Sequence, residues 1–181
     1  KNMNYQPNQK LFCITGFSGY LGSELIKLFE EKKIKFIKFK IPRPTKTDRN
    51  LKSFYSRHIN EFLILNRHID TVINCAASLK PKNHKEYYFN SCFPILFQEA
   101  LFKLNEHSAF INVSSTRIFK NSMDTYSLSK KESEKIMFSK GKVILIYPDI
   151  ILDKTKGAYN DLENILSNKI PFVPVFNPGN Y

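Results

Sequence analysis

The segment TGFSGYLG, Thr15–Gly22, decides the fold of this chain. It spaces Gly16, Gly19 and Gly22 three residues apart, after the apolar run KLFCIT and at the start of the amphipathic run YLGSELIKLFEEKK. The first run predicts a buried strand and the second a helix. A glycine turn between a strand and a helix can receive a pyrophosphate, because ligands approach its backbone closely and the helix start offers N–H groups. The segment therefore predicts a dinucleotide-binding turn, with a purely structural turn as the alternative.

Strand and helix patterns alternate along the rest of the chain. Alternation of this kind predicts a parallel sheet with helices on both faces, a doubly wound α/β domain. We expect a lead-in over residues 1–9 and this domain over 10–152. From residue 153 the composition shifts to a short amphipathic helix, predicted over 159–167, and a proline-rich end. Further strands are predicted over 34–41, 70–78, 108–115 and 142–151, and further helices over 51–68, 84–107 and 125–140.

Composition and net charge limit the classes of protein to which this chain can belong. The chain has 181 residues and a net charge of +12, which attracts nucleic acid, acidic membranes or phosphorylated small molecules. Its lysines are spread along the sequence, so a nucleic-acid surface is disfavoured. No apolar run has the length of a membrane span, and the start lacks the apolar core of a signal peptide, so we expect a cytoplasmic protein. Three widely spaced cysteines predict reduced thiols, and the histidine spacing predicts no metal site.

The end of the second predicted strand bears on the choice of dinucleotide. An acid at this position hydrogen-bonds a free ribose 2′-hydroxyl, whereas basic residues suit a 2′-phosphate. Here Lys40 ends the strand and Arg43 follows closely, without an acid. This pattern favours NADP over NAD. The alternative is that both are solvated cations at a loop.

The segment DTYSLSKKESE, Asp124–Glu134, places Tyr126 and Lys130 four residues apart on a predicted helix. Residues at this spacing share one face. A nearby ammonium lowers the pKa of a tyrosine, which otherwise titrates near pH 10, and so lets it exchange protons at neutral pH. At the end of the strand before this helix, Ser114, Ser115 and Thr116 are all candidates for a hydroxyl that binds a substrate oxygen. Together with the glycine turn upstream, this order predicts a proton-transfer site.

These pieces carry a family resemblance. TGFSGYLG, VINCAAS, INVSSTRIF, YSLSK, Asn90 and the tail from Tyr147 to Asn180 are similar to the short-chain dehydrogenase/reductase superfamily. The closest likeness is to its extended branch, which epimerises, reduces or dehydrates nucleotide sugars on a Rossmann fold. Those proteins continue well beyond the length of this chain. The resemblance thus implies that residues 153–181 begin a nucleotide-sugar-binding lobe.

The resemblance implies roles for individual residues. Tyr126 would be the general acid/base, Lys130 its electrostatic partner and ribose anchor, Ser115 the ligand of the substrate oxygen, and Asn90 a support for the lysine through water. NADP or NAD would lie against Tyr126 and Lys130 and against three further groups of residues. These are the turn residues Gly16, Phe17, Ser18, Gly19, Tyr20, Leu21 and Gly22, then Ala76 and Ala77 near adenosine, and finally Tyr147 and Asp149 near nicotinamide.

The implied function is an NAD(P)-dependent oxidoreductase or isomerase, a nucleotide-sugar reductase or 4-epimerase serving polysaccharide or glycan precursor synthesis. The dehydratases of this branch have Asp and Glu after the catalytic hydroxyl residue. Thr116 and Arg117 stand there instead, which argues against dehydration. Two alternatives remain, a non-catalytic NAD(P)-binding regulatory or partner module and an RNA-binding relative of the same fold. The resemblance also implies a homodimer formed by the helices that carry Asn90 and Tyr126.

Overall fold

A computed structural model describes residues 10–119, 124–137 and 143–149, together with two short strands beyond them. The predicted lead-in and the predicted helix over 159–167 lie outside the described residues. Internal contacts divide the chain into two units, residues 1–149 and 150–181. The second unit is described only by β6 (Leu152–Asp153) and β7 (Lys156–Gly157), which pair in antiparallel fashion.

The first unit alternates strands and helices, as the sequence predicts. Its five strands form one parallel sheet in the order β2-β1-β3-β4-β5, which confirms the doubly wound fold. In this order β2 lies on one side of β1 and β3 lies on the other, so the strand order reverses at β1. Sheets of this type bind ligands where the strand order reverses, outside the carboxyl ends of the strands. The elements are β1 (Phe12–Thr15), α1 (Tyr20–Glu31), β2 (Phe36–Phe39), α2 (Leu51–Leu65), β3 (Thr71–Asn74), α3 (His84–Leu104), β4 (Ala109–Val113), a 3₁₀ turn (Thr116–Phe119), α4 (Thr125–Met137) and β5 (Val143–Ile146).

Helices cover both faces of the sheet. On one face, the buried ring of Phe97 from α3 lies 5.2 Å from Phe39 of β2 and 6.2 Å from Phe110 of β4, measured between centroids. On the other face, Ile26 and Phe29 of α1 pack in a second apolar cluster. Each large apolar side chain buried in this way stabilises the fold by roughly 1.5–3 kcal/mol. Packing on both faces fixes the strand ends relative to the helices that follow them.

Asparagine caps set where two helices begin. Asn50 Oδ1 accepts a hydrogen bond from the Ser53 amide at 3.0 Å and starts α2. Asn83 Oδ1 accepts one from the Glu86 amide, also at 3.0 Å, and starts α3. An asparagine in this role satisfies a backbone donor that the helix leaves unpaired. Among the described residues, no helix is long and apolar enough to cross a membrane.

Candidate functional site

The glycine turn has the backbone geometry that its sequence predicts. Gly16 follows β1 with a φ of +68°, a conformation that L side chains rarely adopt. The Gly19 amide donates to the Gly16 carbonyl at 3.0 Å, and Gly19 is the N-cap of α1. A Cβ at Gly22 would come within 3.0 Å of the backbone of Gly16 and Phe17. The turn therefore requires glycine at both positions. Gly16 needs it for its backbone conformation and for its close approach to the backbone of Ala76, and Gly22 needs it for close packing alone.

The turn forms one wall of a cleft of about 790 Å³ at the reversal point of the sheet. Ligand sites commonly have this size and position. Of the residues predicted to bind the cofactor, the cleft contains Gly16, Phe17, Ser18, Gly19, Lys40, Arg43, Ala76 and Ala77. Tyr20 and Leu21, half-buried, and Gly22, buried, form the first turn of α1 behind this wall. Sequence reasoning missed a group that α2, α3 and the loops bring to the cleft: Tyr55, Cys75, Ser78, Asn83, Lys85, Glu86 and Phe89.

Cations gather at the end of the cleft beside β2. Lys40 and Arg43 are exposed there, and Lys85 reaches across from the first turn of α3, its Nζ donating to the Thr45 carbonyl at 2.5 Å. Two acids lie in this region. Glu86 is held by the Ser78 hydroxyl and the Lys82 amide, at 3.1 and 2.9 Å, and Asp48 accepts from the Thr45 hydroxyl at 2.7 Å. Lys85 is distant in sequence from Lys40 and has no motif around it, so only the fold reveals it. The local charge suits an anionic group.

Tyr126 and Ser115 meet beyond the carboxyl end of β4. Both side chains are buried. Burial raises the pKa of Tyr126 above its ordinary value, the charge of Arg117 and a hydrogen bond from Ser115 oppose this shift, and Asp124 adds to it. The Arg117 guanidinium lies 5.4 Å from the centroid of the Tyr126 ring. Arg117, which the sequence motif does not indicate, is therefore a second cation beside Tyr126, in addition to Lys130.

Lys130 lies beneath the tyrosine, one helical turn further along α4. Its side chain is 1% exposed, and its Nζ is 6.0 Å from the Tyr126 ring centroid. The ammonium donates to the Val113 carbonyl of β4 at 2.9 Å. Burial lowers the pKa of Lys130 to about 8, and the nearby Glu134 and Cys75 oppose this shift. Because Cys75 also lines the cleft, it connects the glycine-turn wall with the lysine.

The buried Asn90 connects α3 with two other parts of the site. Its Oδ1 accepts from the Ser78 amide and its Nδ2 donates to the Ser78 carbonyl, both at 2.8 Å. Nδ2 also lies 3.2 Å from the hydroxyl of Ser129 in α4. Among the described residues, Asn90 bonds to Ser78 and Ser129 and not to Lys130. It thus fixes the loop after β3, which lines the cleft, against the helix that carries Tyr126.

Tyr147 and Asp149, predicted near nicotinamide, lie beside the end of β4. The Tyr147 hydroxyl donates to Glu134 Oε2 at 3.1 Å. Asp149 Oδ1 accepts from the Thr116 hydroxyl at 2.7 Å. Both side chains therefore help to hold the segment around Ser115 in place.

A buried chain of polar side chains crosses the strand ends under the cleft. Thr15 donates to Asn74 Oδ1 at 2.5 Å, and Asn74 Nδ2 donates to Asn112 Oδ1 at 2.7 Å. The same Asn74 oxygen accepts from the Ala76 amide at 3.3 Å. Buried polar groups that are paired in this way fix one arrangement of the backbone. The chain fixes the ends of β1, β3 and β4, from which the cleft and the Ser115 segment begin. The polar asparagine inside the apolar run TVIN was the available sequence signal.

The depressed pKa of Lys130 gives a pH dependence of stability. The pKa is about 8 in the folded protein against an ordinary 10.5, so the unfolded chain binds more protons between these values. We expect the free energy of unfolding to rise by about 3 kcal/mol as the pH increases across this range. Lys130→Met removes this rise, whereas Lys135→Met, an exposed change on the same helix, keeps it. Urea unfolding at several pH values between 8 and 10.5 measures this rise in the free energy of unfolding. An equal rise in wild type and Lys130→Met would contradict the burial of a titrating lysine.

No protein-family model matches this sequence, and no curated protein matches it. Solved structures do match. A dTDP-4-dehydrorhamnose reductase from Bacillus anthracis in complex with NADP has a TM-score of 0.69 at 15% identity, covering 91% of this chain and 62% of its own. WbmH from Bordetella bronchiseptica in complex with NAD+ has a TM-score of 0.68 at 16% identity, with 89% and 64% covered.

A UDP-glucose 4-epimerase from Thermotoga maritima, solved with UDP-glucose, has a TM-score of 0.62 at 14% identity, covering 76% of this chain and 54% of its own. This chain thus spans less than two thirds of the length of each of these three proteins. At such identities the likeness establishes the fold. By name, two of the three are a dTDP-sugar reductase and a UDP-sugar epimerase.

Proposed function

We propose that this chain binds NADP or NAD in the cleft and transfers hydride to or from a nucleotide sugar, as a reductase or 4-epimerase. The observation that carries the proposal is that Tyr126, Ser115 and Lys130 lie together at the end of β4, beside a cleft whose glycine turn has no room for a Cβ at Gly16 or Gly22. The neighbours of the same fold include a dTDP-sugar reductase and a UDP-sugar epimerase. The product would serve polysaccharide or glycan precursor synthesis.

Different residues bind different parts of the dinucleotide. The turn at Gly16 and the start of α1 present backbone N–H groups to the pyrophosphate, at the positive end of the helix dipole. Ala76 and Ala77 form the wall for adenosine. Lys130 anchors the ribose next to nicotinamide, and Tyr147 and Asp149 hold the adjacent strand end. Asn90 supports this arrangement through the Ser78 loop and through Ser129.

The residues at the end of β4 carry out the proton transfer. Nicotinamide supplies or accepts the hydride when bound. Ser115 orients the reacting sugar oxygen toward the Tyr126 hydroxyl, which gives its proton to that oxygen during reduction and takes it back during oxidation. The positive charges of Arg117 and Lys130 stabilise the phenolate that remains. Thr116 and Arg117 carry no carboxylate, so the site is suited to hydride transfer without elimination.

The cations at the adenosine end give a cofactor preference. We expect the double variant Lys40→Ala/Arg43→Ala to weaken NADPH binding about 10- to 100-fold and to leave NADH binding nearly unchanged, because charge-assisted hydrogen bonds to a 2′-phosphate contribute about 1.5–3 kcal/mol. Nicotinamide fluorescence titration measures both affinities. Lys52→Ala is the control, since Lys52 is exposed on α2 and lies outside the cleft. An equal loss for both cofactors would contradict the assignment.

A non-catalytic NAD(P)-binding module is the second candidate function. The observation in its favour is that Lys130 gives its ammonium hydrogen bond to the Val113 carbonyl, inside the fold. The two candidates are separated by testing the protein with NADPH and a panel of dTDP- and UDP-linked 4-keto sugars. Consumption of NADPH supports the enzyme. Saturable NADPH binding without turnover on any of the sugars supports the module.

Assembly and location remain predictions. A homodimer through α3 and α4, the helices that carry Asn90 and Tyr126, follows from the family resemblance, and the cytoplasmic location is expected from the sequence. Sedimentation of the full-length protein measures the assembly state.

A further inference from the structure

Glu134 is a buried carboxylate that the proposed reaction does not use. It lies on α4 four residues after Lys130, on the same helical face, and its side chain is 6% exposed. Burying a carboxylate is costly unless hydrogen bonds and opposite charge compensate for the lost water. A carboxylate kept in this position therefore needs partners, and the structure supplies them from three elements.

Both oxygens of Glu134 are hydrogen-bonded. The Ser114 hydroxyl, at the end of β4, donates to Oε1, and the Tyr147 hydroxyl, after β5, donates to Oε2 at 3.1 Å. Acceptance on both oxygens is the pattern of an ionised carboxylate. Burial raises the pKa of Glu134, while the two hydroxyls and the Lys130 charge lower it.

Ser114 connects this carboxylate with the reacting residues. It is the neighbour of Ser115 in sequence, and its amide donates to the Ile146 carbonyl of β5 at 2.7 Å. Glu134 thus joins α4 to the strand ends that carry Ser115 and Tyr147. Since Tyr126 is on the same helix, this junction sets how Tyr126 faces Ser115.

Glu134 is also the carboxylate whose charge supports the Lys130 ammonium. The groups that face Lys130 are Glu134 and Tyr126 from α4, the Val113 carbonyl from β4, and Cys75 after β3. Those that face Glu134 are Ser114, Tyr147 and Lys130. Among these described groups, Glu134 is the carboxylic acid, whereas Cys75 is a thiol whose pKa burial raises to about 11.

We propose that Glu134 is a positioning residue, which acts as the counter-ion of the Lys130 ammonium and docks α4 onto the ends of β4 and β5 through Ser114 and Tyr147. The proposal rests on the proposed function in that Lys130 must be a cation for Tyr126 to exchange protons. Glu134 contacts neither substrate nor cofactor in this role. It influences the charge of Lys130, which contacts the cofactor in the proposed function.

The test is the titration of Lys130 itself, followed by NMR of ¹³C-labelled lysine side chains in the full-length protein. We expect Glu134→Gln to move the Lys130 midpoint down by about one pH unit or more, because the amide keeps the shape and removes the charge. Glu132→Gln is the matched control, the same change two residues away on an exposed position whose partner is Tyr87. A Lys130 midpoint unchanged in Glu134→Gln would overturn the proposal.

Tyr147→Phe keeps the inference testable if Glu134→Gln does not fold. It removes one donor and retains the carboxylate, so the Glu134 midpoint, followed by NMR of ¹³C-labelled glutamate side chains, should rise. A Glu134 midpoint that stays in place in this variant would contradict the docking of this carboxylate by Tyr147. The NMR readout does not depend on turnover, so a protein that binds no dinucleotide refutes the proposed function and leaves the titration result to stand by itself.

Kinetics provide a second readout if the enzyme turns over. A downward shift of one unit from about 8 should make kcat of Glu134→Gln about twofold lower than that of wild type at pH 7 and about fivefold lower at pH 8, with recovery as the pH falls and Lys130 regains its proton. A purely structural role would give a loss that does not recover at lower pH.

Discussion

Tyr126→Phe is expected to lower turnover by roughly 10²- to 10⁴-fold, the usual contribution of a positioned general acid/base. The substitution removes one hydroxyl from a buried ring and leaves its packing against Arg117 and Lys130 in place. Affinity for NADPH should therefore change little. Steady-state kinetics with a nucleotide sugar measure the first effect, and fluorescence titration of NADPH measures the second.

Tyr88→Phe is the matched control for this change. Tyr88 is half-buried on α3, outside the cleft, and makes no contact with Ser115 that the structure describes. It should retain full turnover. Equal activity in Tyr126→Phe and wild type would remove Tyr126 from the reaction, and equal losses in both tyrosine variants would indicate a general effect on folding.

Gly22→Ala should abolish dinucleotide binding. The added Cβ would come within 3.0 Å of the backbone of Gly16 and Phe17, and backbone cannot move aside as a flexible side chain can. The turn must then open or α1 must shift, so the N–H groups that face the pyrophosphate lose their positions. We expect NADPH affinity to fall at least about 100-fold, with a loss of stability of about 1–3 kcal/mol from the strained packing.

Gly19→Ala provides the comparison within the same turn. Its added Cβ would meet one atom, the Gly16 carbonyl oxygen, at 3.3 Å, and the Gly19 φ of −79° suits any residue. The free energy of unfolding of Gly19→Ala should differ from that of wild type by less than about 1 kcal/mol, the usual cost of alanine at an N-cap. Thermal unfolding and NADPH titration of the two variants separate the effects. Normal NADPH binding by Gly22→Ala would contradict the assignment of the turn.

The sequence predicts the glycine turn and the strands because their signals are local. An apolar run closed by Gly16 specifies a strand end and a tight turn without reference to the rest of the chain. The spacing of Tyr126 and Lys130 likewise follows from helix geometry alone. In both cases, neighbours in sequence determine the structure, and the described residues lie where these patterns put them.

Contacts between distant elements could not be predicted in this way. Lys85 reaches the cleft from α3, and Glu134 joins α4 to β4 and β5, because packing of the helices on the sheet brings them there. The effect of Arg117 on Tyr126 depends on the 3₁₀ turn after β4, which the sequence pattern does not indicate. Each of these residues is charged, and charged residues are common in this sequence. Composition therefore does not single them out as site residues.

Transfer of deuterium from NADPH labelled at C4 of nicotinamide tests the central claim most directly. The full-length protein is incubated with each labelled C4 epimer of NADPH and with dTDP- or UDP-linked 4-keto sugars, and the sugar product is analysed by mass spectrometry. Our account predicts that one epimer transfers its deuterium to a sugar carbon, and that Tyr126→Phe lowers this transfer in proportion to its loss of turnover. Saturable NADPH binding with no deuterium in any sugar would contradict it.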